Sequence, residues 1–457
     1  MNSNAPHPHG GRAHPHGARM TSKAIEESLD LVVALMQKSQ NGGTAQDLNQ
    51  AISIGVRVAQ AVPKTDPRTA FVLSTLSTAH QYRFSGREDT TDMTDLERAI
   101  DLGRQALRIA SPDDPSRAGY LSHLGVAYQA RFAWLRQKED LDRAVKLKFQ
   151  AAKALPEDHP AQPSLLDGLA EAHATRFNHF GDQADLDIAM KLRIRCVKTA
   201  PADDPGLPEY LSNLASSYYA LFVQNGDRAD LDRSVELGSQ ALEAADPGDP
   251  NFHEFLSHLG IAYQLRCNRF GDLTDMDRAI ELKQQAVQAA PAGHPERPYY
   301  LNSLGTSYRA RSVLAEQPGD LDRAIELEIE AFNTSPANRP DRGSALDDLS
   351  RSLMTRFEND GDPADLDQAL ESAQAAVEAT PAPNHLRPQF LDNLGCIYRE
   401  LFEEYGDALH LGQAIQALAQ AVRGLPANDP DRPKFRAHLD AAVARAAETE
   451  GIVVLPE

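Results

Sequence analysis

Apolar and small residues return along almost the whole chain at three- and four-residue intervals, the spacing of helices that bury one face. In residues 275–291 (DMDRAIELKQQAVQAAP), Ala279, Ile280, Leu282, Ala286, Val287 and Ala290 form that face. Arg278, Glu281, Lys283 and Gln284 fall on the wet side. Asp275 suits an N-cap and Asp277 a first turn, where the helix dipole favours negative charge. Pro291 ends the helix. The next helical pattern, PYYLNSLGTSYRAR from Pro298, puts Tyr300, Leu301, Leu304, Ser307 and Tyr308 on one side. Gly-Asp pairs at Gly181, Gly226, Gly271, Gly361 and Gly406 stop such helices, as expected of a glycine that accepts the left-handed C′ conformation. Period-two alternation is missing throughout, so the chain is predicted to be all-α.

The pattern is a repeat. A D-L-x-x-[AS]-[IVLM] string begins at Asp95, Asp140, Asp185, Asp230, Asp275, Asp320 and Asp365, at a constant step of 45 residues. A further copy begins at His410, and a diverged one at Asp47 is offset by 48 from the next. A length of 457 residues would otherwise suggest about three globular domains. Regular repetition predicts one array of stacked helix pairs instead.

The residues resemble the tetratricopeptide (TPR) repeats. Leu124-Gly125-x-x-Tyr128, Leu259-Gly260-x-x-Tyr263, Leu304-Gly305-x-x-Tyr308 and Leu394-Gly395-x-x-Tyr398 match the family's first helix. Ala144/Ala151/Pro156, Ala279/Ala286/Pro291, Ala324/Ala331/Pro336, Ala369/Ala376/Pro381 and Ala414/Ala421/Pro426 match its second. The family's large aromatic in that second helix is replaced by Lys148, Lys283 and Glu328. The usual period is about 34 residues, so each unit carries about eleven more; they are expected between the two helices, in the GDLTDLDR-type stretch. Arrays of this lengthened type are similar to those of fungal and bacterial TPR–CHAT proteins and of kinesin-light-chain-like proteins. The resemblance implies a right-handed TPR-like α-solenoid, a superhelix of about nine helix-pair units over residues 45–449, with the LG-x-x-Y helices on its concave side. Residues 21–44 are expected to form an N-terminal capping helix, residues 1–20 a disordered His/Pro/Gly-rich tail, and residues 450–457 a short C-terminal tail.

Composition narrows the function. Lys and Arg number 46 against 66 Asp and Glu, a formal charge of −20, which argues against nucleic acid or an anionic membrane as partner. No apolar run approaches the length of a membrane span, and the first residues lack a signal-peptide core. Three cysteines do not make a disulfide framework, so a cytoplasmic, reducing setting is expected.

Aligning the units separates packing residues from candidate chemistry. Cys196 stands in a column of alanines and Cys267 in a column of phenylalanines, both core positions, whereas Cys396 occupies a variable column. His80 and His173 replace the packing tyrosine. No metal-ligand spacing, phosphate-binding loop or nucleophile elbow is present, so no cofactor, metal or catalytic residue is assigned. The tail histidines His7, His9, His14 and His16 read as solvated disorder in preference to a loose site for a soft divalent metal.

The candidate site is therefore the groove face of the LG-x-x-Y helices: Gln81, Gln129, Asp167, Glu171, Asn213, Ser216, Tyr219, Gln264, Asn302, Arg309, Arg351, Asn393 and Arg399. Its first half is polar and acidic and its second half holds the arginines, which would suit an extended peptide with a basic and an acidic part. The lysines by which some TPR domains clamp a C-terminal carboxylate are missing. Asn213, Asn302 and Asn393 partly resemble the asparagines with which kinesin-light-chain-like arrays hold a peptide backbone. The expected function is a non-catalytic scaffold for an extended peptide or partner protein, of unassigned oligomeric state. Two other readings are a stand-alone sensor arm for a CHAT-type caspase-like protease, and an enzyme or small-molecule binder using Trp134, Tyr219 or Arg351.

Overall fold

The computed structural model describes residues 20–40, 44–85, 93–315, 317, 319–336, 339, 341–381, 384–426 and 429–449. The expected tails, 1–20 except Met20 and 450–457, lie outside the described residues. Every element among the described residues is a helix. The first nine are α1 (Ser22–Gln40), α2 (Ala45–Ala61), α3 (Arg68–Ser85), α4 (Thr94–Ile109), α5 (Arg117–Leu135), α6 (Lys138–Ala154), α7 (Gln162–Phe180), α8 (Gln183–Thr199) and α9 (Leu207–Asn225). Then come α10 (Arg228–Ala244), α11 (Phe252–Phe270), α12 (Leu273–Ala289), α13 (Arg297–Ala315) and α14 (Asp320–Thr334). The last are α15 (Asp341–Asp360), α16 (Pro363–Glu378), α17 (Arg387–Tyr405), α18 (Ala408–Gly424) and α19 (Arg432–Glu448). The chain divides into two compact units, residues 1–210 and 211–457. None of the helices formed by described residues is long and apolar enough to cross a membrane.

Within each unit successive helices pack as antiparallel pairs, an all-α TPR-like solenoid. The odd-numbered helices from α3 to α17 hold the LG-x-x-Y register, complete in α5, α11, α13 and α17, and the even-numbered ones the D-L-x-x-A register. In the even helices Ala144, Ala189, Ala279, Ala324, Ala369 and Ala414 are completely buried. The facing glycines permit this closeness: a Cβ on Gly305 would lie 3.2 Å from the Ala324 carbonyl oxygen and 2.9 Å from Glu328 Cγ. At the first pair, α1 buries Ile25, Leu29, Val32, Leu35 and Met36 against Leu48, Ile52, Val58 and Leu76. At the last, α19 buries Phe435, Leu439, Ala442 and Ala446.

Where the extra residues go differs from the sequence expectation. They do not form a stretch between paired helices; they lengthen the helices themselves. Only Gly181 and Asp182 separate α7 from α8, and only Gly271 and Asp272 separate α11 from α12. The glycines take left-handed backbone, φ 70° at Gly181 and 79° at Gly271, and Arg136 does the same at φ 53° where a unit lacks glycine. The N-cap is therefore Asp272, which accepts a hydrogen bond from Thr274 N at 3.0 Å. Asp275, expected as the cap, lies one turn inside and is buried. Asp suits both places; the Gly-Asp two-residue link fixes which one closes the helix end.

Those buried aspartates anchor an arginine ladder. Arg131, Arg176, Arg266, Arg311 and Arg356 each grip the aspartate nine residues on: Asp140, Asp185, Asp275, Asp320 and Asp365. The grip is two-pronged; Arg266 Nε and Nη2 both lie 2.7 Å from Asp275. In four of these arginines Nη1 also reaches back to the exposed second aspartate of the preceding D-L-D, as in Arg176–Asp142 at 2.8 Å and Arg311–Asp277 at 2.7 Å. Each buried charge is thus paired and hydrogen-bonded, the condition for tolerating it in a core. Where leucine replaces the arginine, at Leu221, Asp230 is only half-buried; where it does so at Leu401, His410 replaces the aspartate.

Candidate binding groove

Within each unit, consecutive odd helices touch one another (α3 with α5, α5 with α7, and the series α11, α13, α15, α17 and α19). No comparable contact joins consecutive even helices among the described residues. The odd helices therefore line the inner side of each unit's curve. Hydrogen bonds rung these helices together: Ser74 with His123 at 3.3 Å, Ser212 with His258 at 3.3 Å, Asn302 with Asp348 at 2.8 Å, Asp347 with Asn393 at 2.9 Å, and Asp392 with His438 at 2.9 Å.

The expected site residues all lie on odd helices. In the first unit Gln81 is buried and donates Nε2 to the His123 carbonyl at 3.3 Å, while Gln129 is half-buried. Asp167 is buried and Glu171 exposed. The expected acidic patch is not bare: Lys148 Nζ lies 3.3 Å from Glu171, and Arg193 Nε lies 4.0 Å from Asp167. Burial holds the Lys148 ammonium and the Arg193 guanidinium below their ordinary pKa values, against the pull of these carboxylates.

In the second unit Asn213 is half-buried, and Ser216 donates its hydroxyl to the Ser212 carbonyl at 3.0 Å. Gln264 accepts from Lys283 Nζ and, at 3.0 Å, from Ser307. Asn302 and Asn393 commit their amide donors to neighbouring helices, Asn302 to Asp348 and Asn393 to Asp347 and Ser350. The arginines are engaged as well: Arg309 lies 3.3 Å from Asp348, Arg351 2.9 Å from Asp347, and Arg399 3.2 Å from Glu400.

The even-helix column holding Lys148, Arg193, Lys283 and Glu328 departs from the sequence reading, which put Lys283 on the wet side. Lys283 is 2% exposed and Glu328 is fully buried. Their stems cross the facing glycines Gly260 and Gly305, whose missing side chains leave the channel. Burial lowers Lys283 to about 7 and raises Glu328 to about 8. Lys283 is met by Gln264, the Ser303 carbonyl and the Ser307 hydroxyl. No well-formed hydrogen bond reaches either Glu328 oxygen.

Two concavities stand out. The inner one, about 280 Å³, is lined by Ser212, Ser216, Tyr219, His258, Ile261 and Tyr299 among others, so it joins two expected residues, Ser216 and Tyr219. Burial raises the Tyr219 and Tyr299 phenols and lowers His258, leaving all three neutral near pH 7. The other, about 670 Å³, opens between even helices α6 and α8 over α7 and was not expected; Phe149, Leu166, Ile188 and Leu192 line it. A signal for it existed in the sequence. Arg104, Gln284 and Gln374 occupy the column of Phe149 and donate to the hydroxyls of Tyr128, Tyr308 and Tyr398. Where Phe149 stands, the tyrosine is His173, which turns to Asp185 at 2.7 Å.

No protein-family model matches the sequence, and no curated protein matches it. Solved structures do. A Pyrococcus horikoshii signal-transduction ATPase of the STAND type with a tetratricopeptide repeat sensor aligns at a TM-score of 0.54 and 14% identity, over 94% of this chain and 55% of its own. A Podospora anserina putative kinesin light chain with nearly identical TPR-like repeats aligns at 0.35 and 21%, over 48% of this chain and 97% of its own. A TPR protein of Thermus thermophilus aligns at 0.36 and 19%, over 52% of this chain and 99% of its own. The chain is a TPR-like helical array.

Proposed function

We propose that the protein is a non-catalytic interaction scaffold that holds an extended peptide or a partner protein against its odd helices. The observation that supports this most is the open inner cleft at Ser212, Ser216, Tyr219, His258 and Tyr299. Tyrosine and histidine there combine apolar bodies with polar tips, a mixture suited to a side chain presented by a peptide. The groove charges are already countered internally, so recognition rests on shape and hydrogen bonding rather than on a bipolar field. Three free thiols accord with a reducing compartment such as the cytoplasm.

A displayed random-peptide library selected on the full chain tests the reading. Enriched sequences, remade and measured by calorimetry, are expected to bind the wild type and to lose at least tenfold in affinity to Tyr219→Ala and Ser216→Arg. Peptides that bind both variants as tightly as the wild type would remove the cleft from the account.

A further inference from the structure

Near the C-terminal end of the array, one rung differs in kind from the others. Asp392 and Cys396 lie one turn apart on α17, and His438 faces them from α19. His438 Nδ1 is 2.9 Å from each carboxylate oxygen of Asp392 and 3.6 Å from Cys396 Sγ. The remaining rungs explain an Asp–His contact by themselves. They do not explain the thiol, which stands where Ser216, Thr306 and Arg351 stand elsewhere. Two groups, a carboxylate through both its oxygens and a thiol, converge on a ring nitrogen that has one hydrogen or one lone pair to offer, so it cannot serve both.

We propose that Asp392, Cys396 and His438 bind a borderline divalent cation, Zn²⁺ foremost, that clamps α17 to α19. Oxygen, thiolate sulfur and imidazole nitrogen are the donor types zinc takes. A tetrahedral ion with bonds of about 2.0–2.3 Å spaces its ligands about 3.3–3.8 Å apart. The 3.6 Å between ring and thiol fits that spacing, and the carboxylate at 2.9 Å must draw back from the ring by a few tenths of an ångström. The three donor atoms all lie within 4.8 Å of one another. Asp392 is 5% exposed, a carboxylate already held in place, while the thiol and ring are half-buried and reachable. Binding releases the thiol proton to solvent. The two anionic ligands then neutralise the ion, so the nearby Arg351, Arg399 and Lys434 face no net positive charge. Three protein ligands leave a fourth position for water or for a donor atom of a bound partner.

Co²⁺ titration of the full chain tests the site. The wild type is expected to develop sulfur-to-cobalt charge-transfer absorption and the intense visible bands of a tetrahedral ion, saturating at one such ion per chain and bleached by Zn²⁺. Cys396→Ser is expected to lose the charge-transfer band and His438→Ala the tetrahedral bands, each with its helical circular dichroism retained. The tail histidines have no thiol and cannot produce the sulfur signal. Absence of that band from the wild type, or its survival in Cys396→Ser, overturns the proposal. Independently of any variant, Zn²⁺ must protect Cys396 of the wild type from alkylation; unchanged labelling overturns it equally.

Discussion

Replacing Arg311 by alanine measures the ladder. Its guanidinium donates to Asp320 at 2.7 and 2.9 Å and to Asp277 at 2.7 Å. The Asp320 side chain is 9% exposed and that of Asp277 65%. Stranding one member of a buried pair costs about 3–5 kcal/mol. An exposed pair contributes about 0–1 kcal/mol. Arg311 is itself 24% exposed, so water reaches the stranded carboxylate and reduces that cost. The expected loss is about 2–4 kcal/mol for Arg311→Ala and about 0–1 kcal/mol for Asp277→Ala. Arg311→Leu combined with Asp320→His copies the Leu401 and His410 pair and is expected to recover at least half of the loss. An array can open repeat by repeat, so urea melts should be read together with hydrogen exchange in α13 and α14. An Arg311→Ala cost equal to that of Asp277→Ala, or no recovery in the double variant, would refute the reasoning.

Gly395→Ala would drive a Cβ to 2.5 Å from Leu418 Cγ and 3.2 Å from the Ala414 carbonyl oxygen, and is expected to destabilise by about 1–3 kcal/mol in denaturant melts. Gly412→Ala, exposed within α18 with nothing within 4 Å, is expected to stabilise by about 0.5–1 kcal/mol. Burial raises the Glu328 carboxyl to about 8 from 4.5, so the unfolded chain releases this proton first and stability falls as pH rises between those values. Glu328→Gln is therefore expected to leave stability near pH 4.5 unchanged and to raise it by about 1–3 kcal/mol near pH 8, as pH-dependent melts would report. Metal-free native protein should expose one thiol to alkylation, Cys396, and slowly, because burial and Asp392 push it up to about 11; mass spectrometry of the labelled peptides checks this.

The repeat was legible because a 45-residue step brings the same helix faces back without slippage. The placement of Cys196 and Cys267 in the core followed from their columns, and both are buried. What was not legible depends on the partner across a packing interface. Lys283 reads as a wet position until the Gly260 channel and the Ser307 hydroxyl are seen to receive it. Asp275 reads as a cap until Arg266 is seen to hold it. The asparagines read as peptide ligands, yet the amides of Asn302 and Asn393 are used between helices. Residues 392, 396 and 438 share no sequence motif, because one of them comes from the next repeat, on α19.

These departures share a cause. In a stack of helix pairs each polar core position answers to a partner in its own or the adjacent repeat, so several of the substitutions come in pairs. Leu401 accompanies His410, and Phe149 accompanies His173, just as Gln284 accompanies Tyr308. The same pairing disposes of charge on the inner face, where Lys148 meets Glu171 and Arg351 meets Asp347. A formal charge of −20 is therefore a property of the chain as a whole more than of the groove. On the scaffold reading, salt should alter how fast a partner arrives more than how tightly it stays, because long-range fields steer encounter while the cleft around Tyr219 sets the fit.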